Sequence, residues 1–202
     1  MGRSEPGGLG PSAVLSITGG IVLADAFTKL LAVDRLAPMH TPHPVIGDVL
    51  RWTLVYNPGA AFGLHLGPWS RWIFIVLTFV ALGVLWTMYR QSVPEARLKV
   101  VALATIAGGA IGNLVDRVRS SRGVVDFIDV GVGAWRWPTF NIADIAVSCG
   151  AIALAIVLWR EDAEAERLAK LAADSGASSA GAPASAGSGV EPTMAREQHG
   201  AS

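Results

Sequence analysis

The sequence predicts an α-helical membrane protein with four transmembrane helices, a small β-sheet at the membrane surface and a disordered C-terminal tail. Apolar residues make up 51% of the 202 positions and charged residues only 16%, which is unusual for a soluble domain of this size. Four apolar runs approach the length that a bilayer requires, about 17 to 25 residues. The formal net charge of zero gives no indication of a nucleic-acid partner.

The first two runs differ in charge. Val14–Val33 contains Asp25 and Lys29, which are four residues apart and therefore share a helix face on which they can neutralise each other. A cleaved signal peptide is disfavoured because Asp25 interrupts this run and no A-x-A-like site ends it. The second run, Trp72–Tyr89, contains no charged residue.

The last two runs differ in composition. Val100–Val115 is short and rich in Gly and Ala, which favours close helix packing in lipid. Ile142–Trp159 contains Cys149 without a histidine partner, which predicts a thiol in the protein core. The following segment, Glu161–Ala173, is charged and prone to form a helix, and the Ala-, Ser- and Gly-rich chain from Asp174 to Ser202 is expected to be disordered.

The connections between the runs constrain the topology. If the four runs cross the membrane in succession, the loops Asp34–Arg71 and Asp116–Asn141 emerge on the same face. The first loop contains Val49–Tyr56, which is β-prone, followed by the turn signal Asn57–Gly59. Lys and Arg are almost equally numerous on the two faces, so the positive-inside rule does not orient the chain.

Two carboxylates on that shared face suggest acid–base chemistry. Asp126 and Asp144 each lie at the rim of an apolar segment, where a charge is costly unless it is paired, hydrated or neutralised. Such a pair can share one proton, with one member acting as a base toward water and the other as an acid toward a carbonyl oxygen. In the alternative interpretation, one aspartate caps the fourth helix and the other forms an ion pair with a loop arginine.

Other polar residues have simpler explanations. Asp116 precedes Arg117 at the end of the third run, which favours a structural ion pair, and Asp129 lies three residues beyond Asp126, a spacing that need not place both in one site. No H-E-x-x-H motif occurs and no histidine lies in the four runs, so neither a metal nor an activated nucleophile is expected. Three asparagines could cap helices or orient a substrate or carboxylate, and the sequence does not decide between these roles: Asn57, Asn113 and Asn141.

Four ordered blocks of sequence resemble the motifs of bacterial lipoprotein signal peptidase, also called signal peptidase II. With the helices, the resemblance covers residues 14–159. The connection Val118–Gly123 is longer than the family pattern, and Pro58 is a further departure. The blocks are Asn57–Gly63, Gly108–Arg117, Val124–Asp129 and Phe140–Asp144.

The resemblance implies an aspartic endopeptidase of the bacterial inner membrane. Members of the family remove the signal peptide from diacylglyceryl-modified prolipoproteins by cutting just before the lipidated cysteine. The catalytic pair then falls on Asp126 and Asp144, with the active site and its β-sheet cradle on the extracytoplasmic face. The supporting or substrate-binding positions fall on Asp25, Lys29, Asn57, Gly59, Ala60, Asn113, Arg117 and Asn141.

The same resemblance divides the chain and predicts its partners. Residues 1–12 form a cytoplasmic N-terminal segment, 13–162 the four-helix transmembrane peptidase domain, and 163–202 a cytoplasmic helical extension with a disordered tail. A monomer is expected, with prolipoproteins and membrane lipid as partners, no nucleic acid and no cofactor.

Two other classes of function are compatible with parts of the pattern. In a membrane transporter or channel subunit, Asp25, Lys29 and Asp144 would line a polar path through the helices. Asp126 lies outside any apolar run, which favours hydrolysis at the membrane surface instead. A non-catalytic assembly factor would require that Asp126 and Asp144 both tolerate replacement.

Overall fold

Four long helices dominate the computed structural model, which describes residues 9–61, 64–65, 67–93 and 96–180, apart from the side chains of 60–61, 64–65, 68 and 173–180. Within this part of the chain, each helix contains a segment long and apolar enough to cross a membrane. Each one includes a predicted run, so the four-helix prediction is confirmed. The helices are α1 (Pro11–Arg35), α2 (Ser70–Gln91), α3 (Arg97–Arg119) and α4 (Ile142–Ala180).

The chain divides into two compact units, the first ending at Arg160 and the second beginning at Glu161. The second unit contains the charged part of α4, where Lys170 pairs with Glu166 at 2.9 Å. The helix predicted over Glu161–Ala173 is therefore present, and α4 continues to Ala180. The rest of the predicted disordered tail, 181–202, lies outside the described residues.

The strands of the first unit form a small antiparallel sheet in the order β1-β2-β5-β6 and a separate two-stranded ribbon, β3-β4. β2 comes from the first predicted loop and β5 from the second, and Val55 lies opposite Asp126 in their ladder. The two loops therefore lie on the same side of the helices, as the crossing argument predicted. The strands are β1 (His43–Ile46), β2 (Leu50–Asn57), β3 (Ala60–Ala61), β4 (Leu64–His65), β5 (Val124–Val132) and β6 (Trp135–Arg136).

One face of the sheet packs against the end of α1. Ala32 and Leu36 form a buried cluster with Leu54 of β2 and with Val125 and Phe127 of β5. Because side chains alternate along a strand, Asp126 points to the face opposite Val125 and Phe127. The packing of Val125 and Phe127 against the end of α1 therefore leaves Asp126 on the other face of β5.

Glycines on α3 allow close contact with its neighbours, as the composition of the third run predicted. A Cβ atom on Gly112 would lie 2.6 Å from Oδ2 of Asp25 on α1, and one on Gly109 would lie 2.8 Å from Cγ2 of Val147 on α4. Neither position has room for a methyl group without movement of α1 or α4. The Gly-rich segment of α3 is thus required for packing at the level of the polar residues described below.

The prediction that Cys149 lies in the core is wrong, because its thiol is on the exposed surface of α4. Large apolar residues such as Leu23, which is 72% exposed, also lie on the outer surfaces of the helices. These surfaces suit contact with lipid, which is as apolar as a protein core. Hydropathy alone therefore cannot distinguish a lipid-facing position from a core position.

Candidate active site

Asp126 is a buried carboxylate at the third position of β5, with only 3% of the residue exposed. Its Oδ1 accepts a hydrogen bond of 2.7 Å from Nδ2 of Asn141, and its Oδ2 accepts one of 3.2 Å from Nδ2 of Asn57. Asn57 is at the end of the neighbouring strand β2. Both carboxylate oxygens are therefore oriented by side-chain amides.

Asp144 lies in the first turn of α4 and takes part in a reciprocal cap. Its backbone N–H donates to Oδ1 of Asn141 at 2.9 Å, and the backbone N–H of Asn141 donates to its Oδ2 at 3.1 Å. This is the hydrogen-bond pattern of a capping box. The other oxygen, Oδ1, accepts a hydrogen bond of 2.8 Å from Nδ2 of Asn113 on α3. Asp144 therefore both caps α4 and belongs to the polar site, two roles that the sequence left as alternatives.

Asn141 connects the two aspartates. The residue is fully buried, and its amide nitrogen also approaches Oδ1 of Asn113 at 3.1 Å. One residue thus donates from its side chain to Asp126 and from its backbone to Asp144. The structure brings the two predicted catalytic residues into one hydrogen-bonded group.

The surroundings of Asp126 change its acidity. Burial raises the pKa of this carboxyl, and the negative charge of Asp144 raises it further, while hydrogen bonds from Asn57 and Asn141 lower it; the resulting pKa is about 7. Asp126 can therefore hold or release a proton near neutral pH. A carboxyl with this property beside a second carboxyl can serve as one member of an acid–base pair.

Lys29 is the cationic centre of the site, with 3% of the residue exposed. Its ammonium group lies 2.7 Å from Asp25, 2.9 Å from Asp116 and 3.0 Å from Oδ1 of Asn113. These contacts match the three donors of an ammonium group. The predicted neutralisation between Asp25 and Lys29 is confirmed.

Asp116 forms the expected ion pair, but its partner is Lys29 rather than the adjacent Arg117. Consecutive residues on a helix point in directions about 100° apart, so sequence neighbours do not face each other. The same carboxylate accepts the backbone N–H of Val125 at 3.1 Å. Asp116 therefore ties the end of α3 to the residue before Asp126.

Asp25 provides a similar connection to α4. Its Oδ1 accepts the backbone N–H of Ala143 at 2.9 Å, next to Asp144 in the chain. This N–H belongs to the first turn of a helix, where no intrahelical partner is available. Asp25 therefore fixes the start of α4 against α1 while its other oxygen pairs with Lys29.

Arg117 brings positive charge toward both aspartates. Its guanidinium donates to the backbone carbonyl of Asn113 at 3.2 Å and lies 5.2 Å from the ring centre of Phe74, and its charge interacts with Asp126 and Asp144. Within the described chain, its buried Nε has no hydrogen-bond partner. Arg71 of α2 donates to the carbonyl oxygens of Arg117 and Val118, which holds the end of α3 in place.

Gly59 has a structural reason for its place beside Asn57. Its φ of 118° is in a region that L-residues with side chains rarely adopt, and its N–H donates to Oδ1 of Asn57 at 3.1 Å. The turn thereby orients the Asn57 amide toward Asp126. The backbone of Ala60 is in β3, whereas its side chain and residues 62–63 of the predicted motif lie outside the described residues.

Asp129 belongs to a different cluster, as its spacing from Asp126 suggested. Its carboxylate accepts hydrogen bonds from Arg136 at 2.8 Å, Thr53 at 3.0 Å and Arg51 at 3.1 Å. Burial tends to raise the pKa of Asp129, but these hydrogen bonds and the charge of Arg136 together lower it. This cluster could not be identified from the sequence. Its members lie on β2, β5 and β6, and no local sequence pattern shows that the folded sheet brings them together.

No group of three or more His, Cys, Asp or Glu side chains in the described chain is placed to hold a metal ion. The polar atoms that converge are two carboxyls, three amides and a lysine that is already paired with two other aspartates. This arrangement fixes the orientation of both carboxyls, and the charge of Asp144 favours the protonated form of Asp126. Activation of a water molecule for attack on a carbonyl group is the chemistry that it suits.

Comparison with protein families gives one match across most of the chain. Residues 17–160 match the family model of signal peptidase (SPase) II, peptidase family A8. The chain is 41% identical over 150 residues to the lipoprotein signal peptidase of Polynucleobacter necessarius, covering 73% of this chain and 87% of that protein. It is also 41% identical over 151 residues to the lipoprotein signal peptidase of Nitratidesulfovibrio vulgaris, covering 73% and 90%.

A solved structure has a similar fold. A bacterial membrane enzyme determined by the in meso method at 2.3 Å resolution superposes with a TM-score of 0.70 at 28% sequence identity. The match covers 78% of this chain and 94% of that one. Over 78% of its length the chain therefore shares the fold of that membrane enzyme.

Proposed function

Because the chain belongs to the signal peptidase II family, we propose that Asp126 and Asp144 are its catalytic pair and that it cuts prolipoproteins just before the lipidated cysteine. Family membership makes the chain an aspartic peptidase and a multi-pass membrane protein that removes lipoprotein signal peptides. The observation that supports the catalytic assignment is the direct connection of both carboxyls through Asn141.

The proposed reaction uses the two carboxyls in different protonation states. Asp126, whose pKa is about 7, is protonated and donates a hydrogen bond to the oxygen of the scissile carbonyl. Asp144 acts as the base and accepts a proton from a water molecule as the water oxygen bonds to the carbonyl carbon. The tetrahedral intermediate then loses the amine, which takes a proton from the dyad, and the C–N bond breaks. Neither a covalent intermediate nor a metal is needed.

The surrounding residues hold this arrangement before substrate binds. Asn113 and Asn141 orient Asp144, and Asn57 and Asn141 orient Asp126. Lys29 fixes Asn113 and brings positive charge near two carboxyls that cannot both be ionised at low cost. Preorganised dipoles and charges of this kind reduce the reorganisation needed in the transition state.

The proposal places the sheet and dyad on the extracytoplasmic face of the inner membrane. Residues 1–12 and 163–202 are then cytoplasmic, and residues 13–162 form the peptidase domain of a monomer. The diacylglyceryl chains of the substrate remain in the bilayer while its scissile bond reaches the membrane rim, where water is available. These chains anchor the substrate to the membrane by about 0.8 kcal/mol per buried methylene at most, which holds the scissile bond near the dyad.

The direct test is cleavage of a diacylglyceryl-modified prolipoprotein by the purified protein, with mass spectrometry of both products. We expect a product that begins with the lipidated cysteine. The matched control is the same precursor without lipid, which should show at least a hundredfold lower kcat/KM because it loses both binding and positioning. A cut at another bond would contradict the proposed cleavage point, and equal rates for the two precursors would contradict recognition of the lipid.

A further inference from the structure

A cavity of about 370 Å³ lies between α1 and α3, on the same side of the first unit as the sheet. Val125 lines it, whereas the side chain of Asp126 points to the other face of β5. The cavity is therefore separated from the side of β5 on which the catalytic carboxyl lies. Three residues of the network that supports the dyad, Asp25, Lys29 and Asp116, also line the cavity, but no step of the proposed proteolysis takes place in it.

The inner part of the cavity has an apolar wall. Val22, Ala26, Leu30 and Val33 line it from α1, at spacings of three and four residues that place them along one stripe of the helix. The stripe extends about 16 Å, at a rise of 1.5 Å per residue. That length is close to half the thickness of a bilayer core, about 30 Å.

The outer part of the cavity is basic. Arg119 and Arg122 line it and are both exposed, and neither forms a salt bridge within the part of the chain that the structure describes. Deeper in the cavity, Lys29 is already paired with Asp25 and Asp116. The charge available to a ligand is therefore the positive charge of the two arginines.

The rim is held in position before any ligand binds. The guanidinium of Arg122 stacks 4.0 Å from the ring centre of Tyr56, and its backbone N–H donates to Oγ of Ser120 at 3.1 Å. Gly123, with a φ of 102°, packs against the backbone of Asn57 so closely that a Cβ atom would not fit. A guanidinium fixed in this way is suited to bind phosphate oxygens.

We propose that this cavity binds one anionic phospholipid of the membrane, with the headgroup phosphate at Arg119 and Arg122 and an acyl chain along the stripe of α1. Arg119 ends α3, so the basic rim lies at the end of a membrane-spanning helix, where headgroups are found. Basic pockets between transmembrane helices bind anionic headgroups by the same combination of charge and apolar surface. The diacylglyceryl group of the proposed substrate has no phosphate and would not use this charge.

The test measures lipid binding to the purified full-length protein in neutral detergent by native mass spectrometry and by the shift in Tm. Phosphatidylglycerol is expected to bind and to raise Tm, whereas phosphatidylcholine and inorganic phosphate should bind at least tenfold more weakly. The double variant Arg119→Gln/Arg122→Gln should lose about tenfold or more in affinity for phosphatidylglycerol. Because binding is the readout, the result does not depend on proteolytic activity.

Two further variants separate a specific site from general attraction. Arg35→Gln removes an exposed arginine at the end of α1, on the same side of the membrane, and should bind phosphatidylglycerol like the unmodified protein. Arg119→Lys/Arg122→Lys should bind more tightly than the Gln double variant, because it keeps the charge, and more weakly than the unmodified protein, because an ammonium lacks the planar donors of a guanidinium. Equal affinity in the Gln double variant and the unmodified protein would overturn the proposal, as would equal binding of phosphatidylcholine or of inorganic phosphate alone.

Discussion

Asp126 and Asp129 are three residues apart on one strand, yet their environments shift the pKa of the two carboxyls in opposite directions. Asp126 is surrounded by amides and by another carboxylate, and its pKa rises to about 7. Asp129 receives hydrogen bonds from two arginines and a threonine, and its pKa is lowered. The alternation of side chains along β5 explains how neighbours on one strand enter such different surroundings.

The raised pKa of Asp126 predicts the pH dependence of cleavage. If the protonated Asp126 donates to the scissile carbonyl, kcat/KM should fall as the pH rises through about 7, approaching a tenfold decrease per pH unit above it. The measurement is kcat/KM for a lipidated precursor between pH 5.5 and 9. The Asp129→Asn variant should show the same decline, and a rate that stays constant up to pH 9 would exclude this role for Asp126.

The pKa shifts of Asp126 and Asp129 also predict opposite effects of pH on the stability of the fold. Since the folded-state pKa of Asp126 is above its unfolded value of about 3.9, its ionisation costs stability increasingly as the pH rises from about 4 to 7. Asp126→Asn should therefore raise Tm at pH 8. Since the pKa of Asp129 is lowered, its ionised form stabilises the fold above about pH 4, and this contribution disappears as the pH falls through the folded-state pKa.

Thermal unfolding of Asp126→Asn and Asp129→Asn across the pH range tests the direction of each change in Tm. Asp129→Asn should lower Tm at pH 8, and this loss should shrink in acid. Changes of the same sign in the two variants at pH 8 would contradict the assigned environments.

At the scale of elements, the four membrane-spanning helices and the common side of the two loops could be predicted from the sequence. The runs are long and apolar, and successive crossings force alternate loops onto one face. The pairing of Lys29 with Asp25 on the same helix could be predicted from their spacing. Its contacts with Asp116 and Asn113 could not, because those residues come from α3 and meet Lys29 only after the helices pack. The exposure of Cys149 could not be predicted either, because an apolar helix position can face either lipid or the protein core.

Gly112 tests whether helix packing supports the site. Gly112→Ala would place a methyl group 2.6 Å from Oδ2 of Asp25, whose other oxygen holds the start of α4. We expect at least a tenfold loss of kcat and a lower Tm, because Asp25 or α1 must move. Gly83→Ala on α2 is the control, since no atom lies within 4 Å of its added Cβ, and it should be nearly neutral. Equal activity in the two variants would show that the Gly112 contact is not needed.

At the scale of the whole molecule, the candidate site is built from α1, α3, α4, β2 and β5. The motif blocks identified its members by resemblance, but sequence alone left open whether the asparagines cap helices or orient carboxylates. The structure shows that Asn141 does both. This dual role has no sequence signature, because it depends on β5 lying beside the first turn of α4.

The same convergence explains why loss of either carboxyl should stop the reaction without unfolding the protein. Asp126→Asn and Asp144→Asn keep the size of the side chain and much of its hydrogen bonding. They remove the capacity to exchange the proton that hydrolysis requires. The cost should therefore appear in kcat rather than in folding.

The most direct measurement is single-turnover cleavage of a lipidated prolipoprotein by the purified protein, by Asp126→Asn, by Asp144→Asn and by Asp129→Asn as the matched control, with folding of each checked by thermal unfolding. Our account predicts that the first two variants fold and lose at least a thousandfold in rate, while Asp129→Asn retains substantial activity at a temperature below its Tm. Near-normal cleavage by either Asp126→Asn or Asp144→Asn would contradict the assignment of these two residues as the catalytic pair.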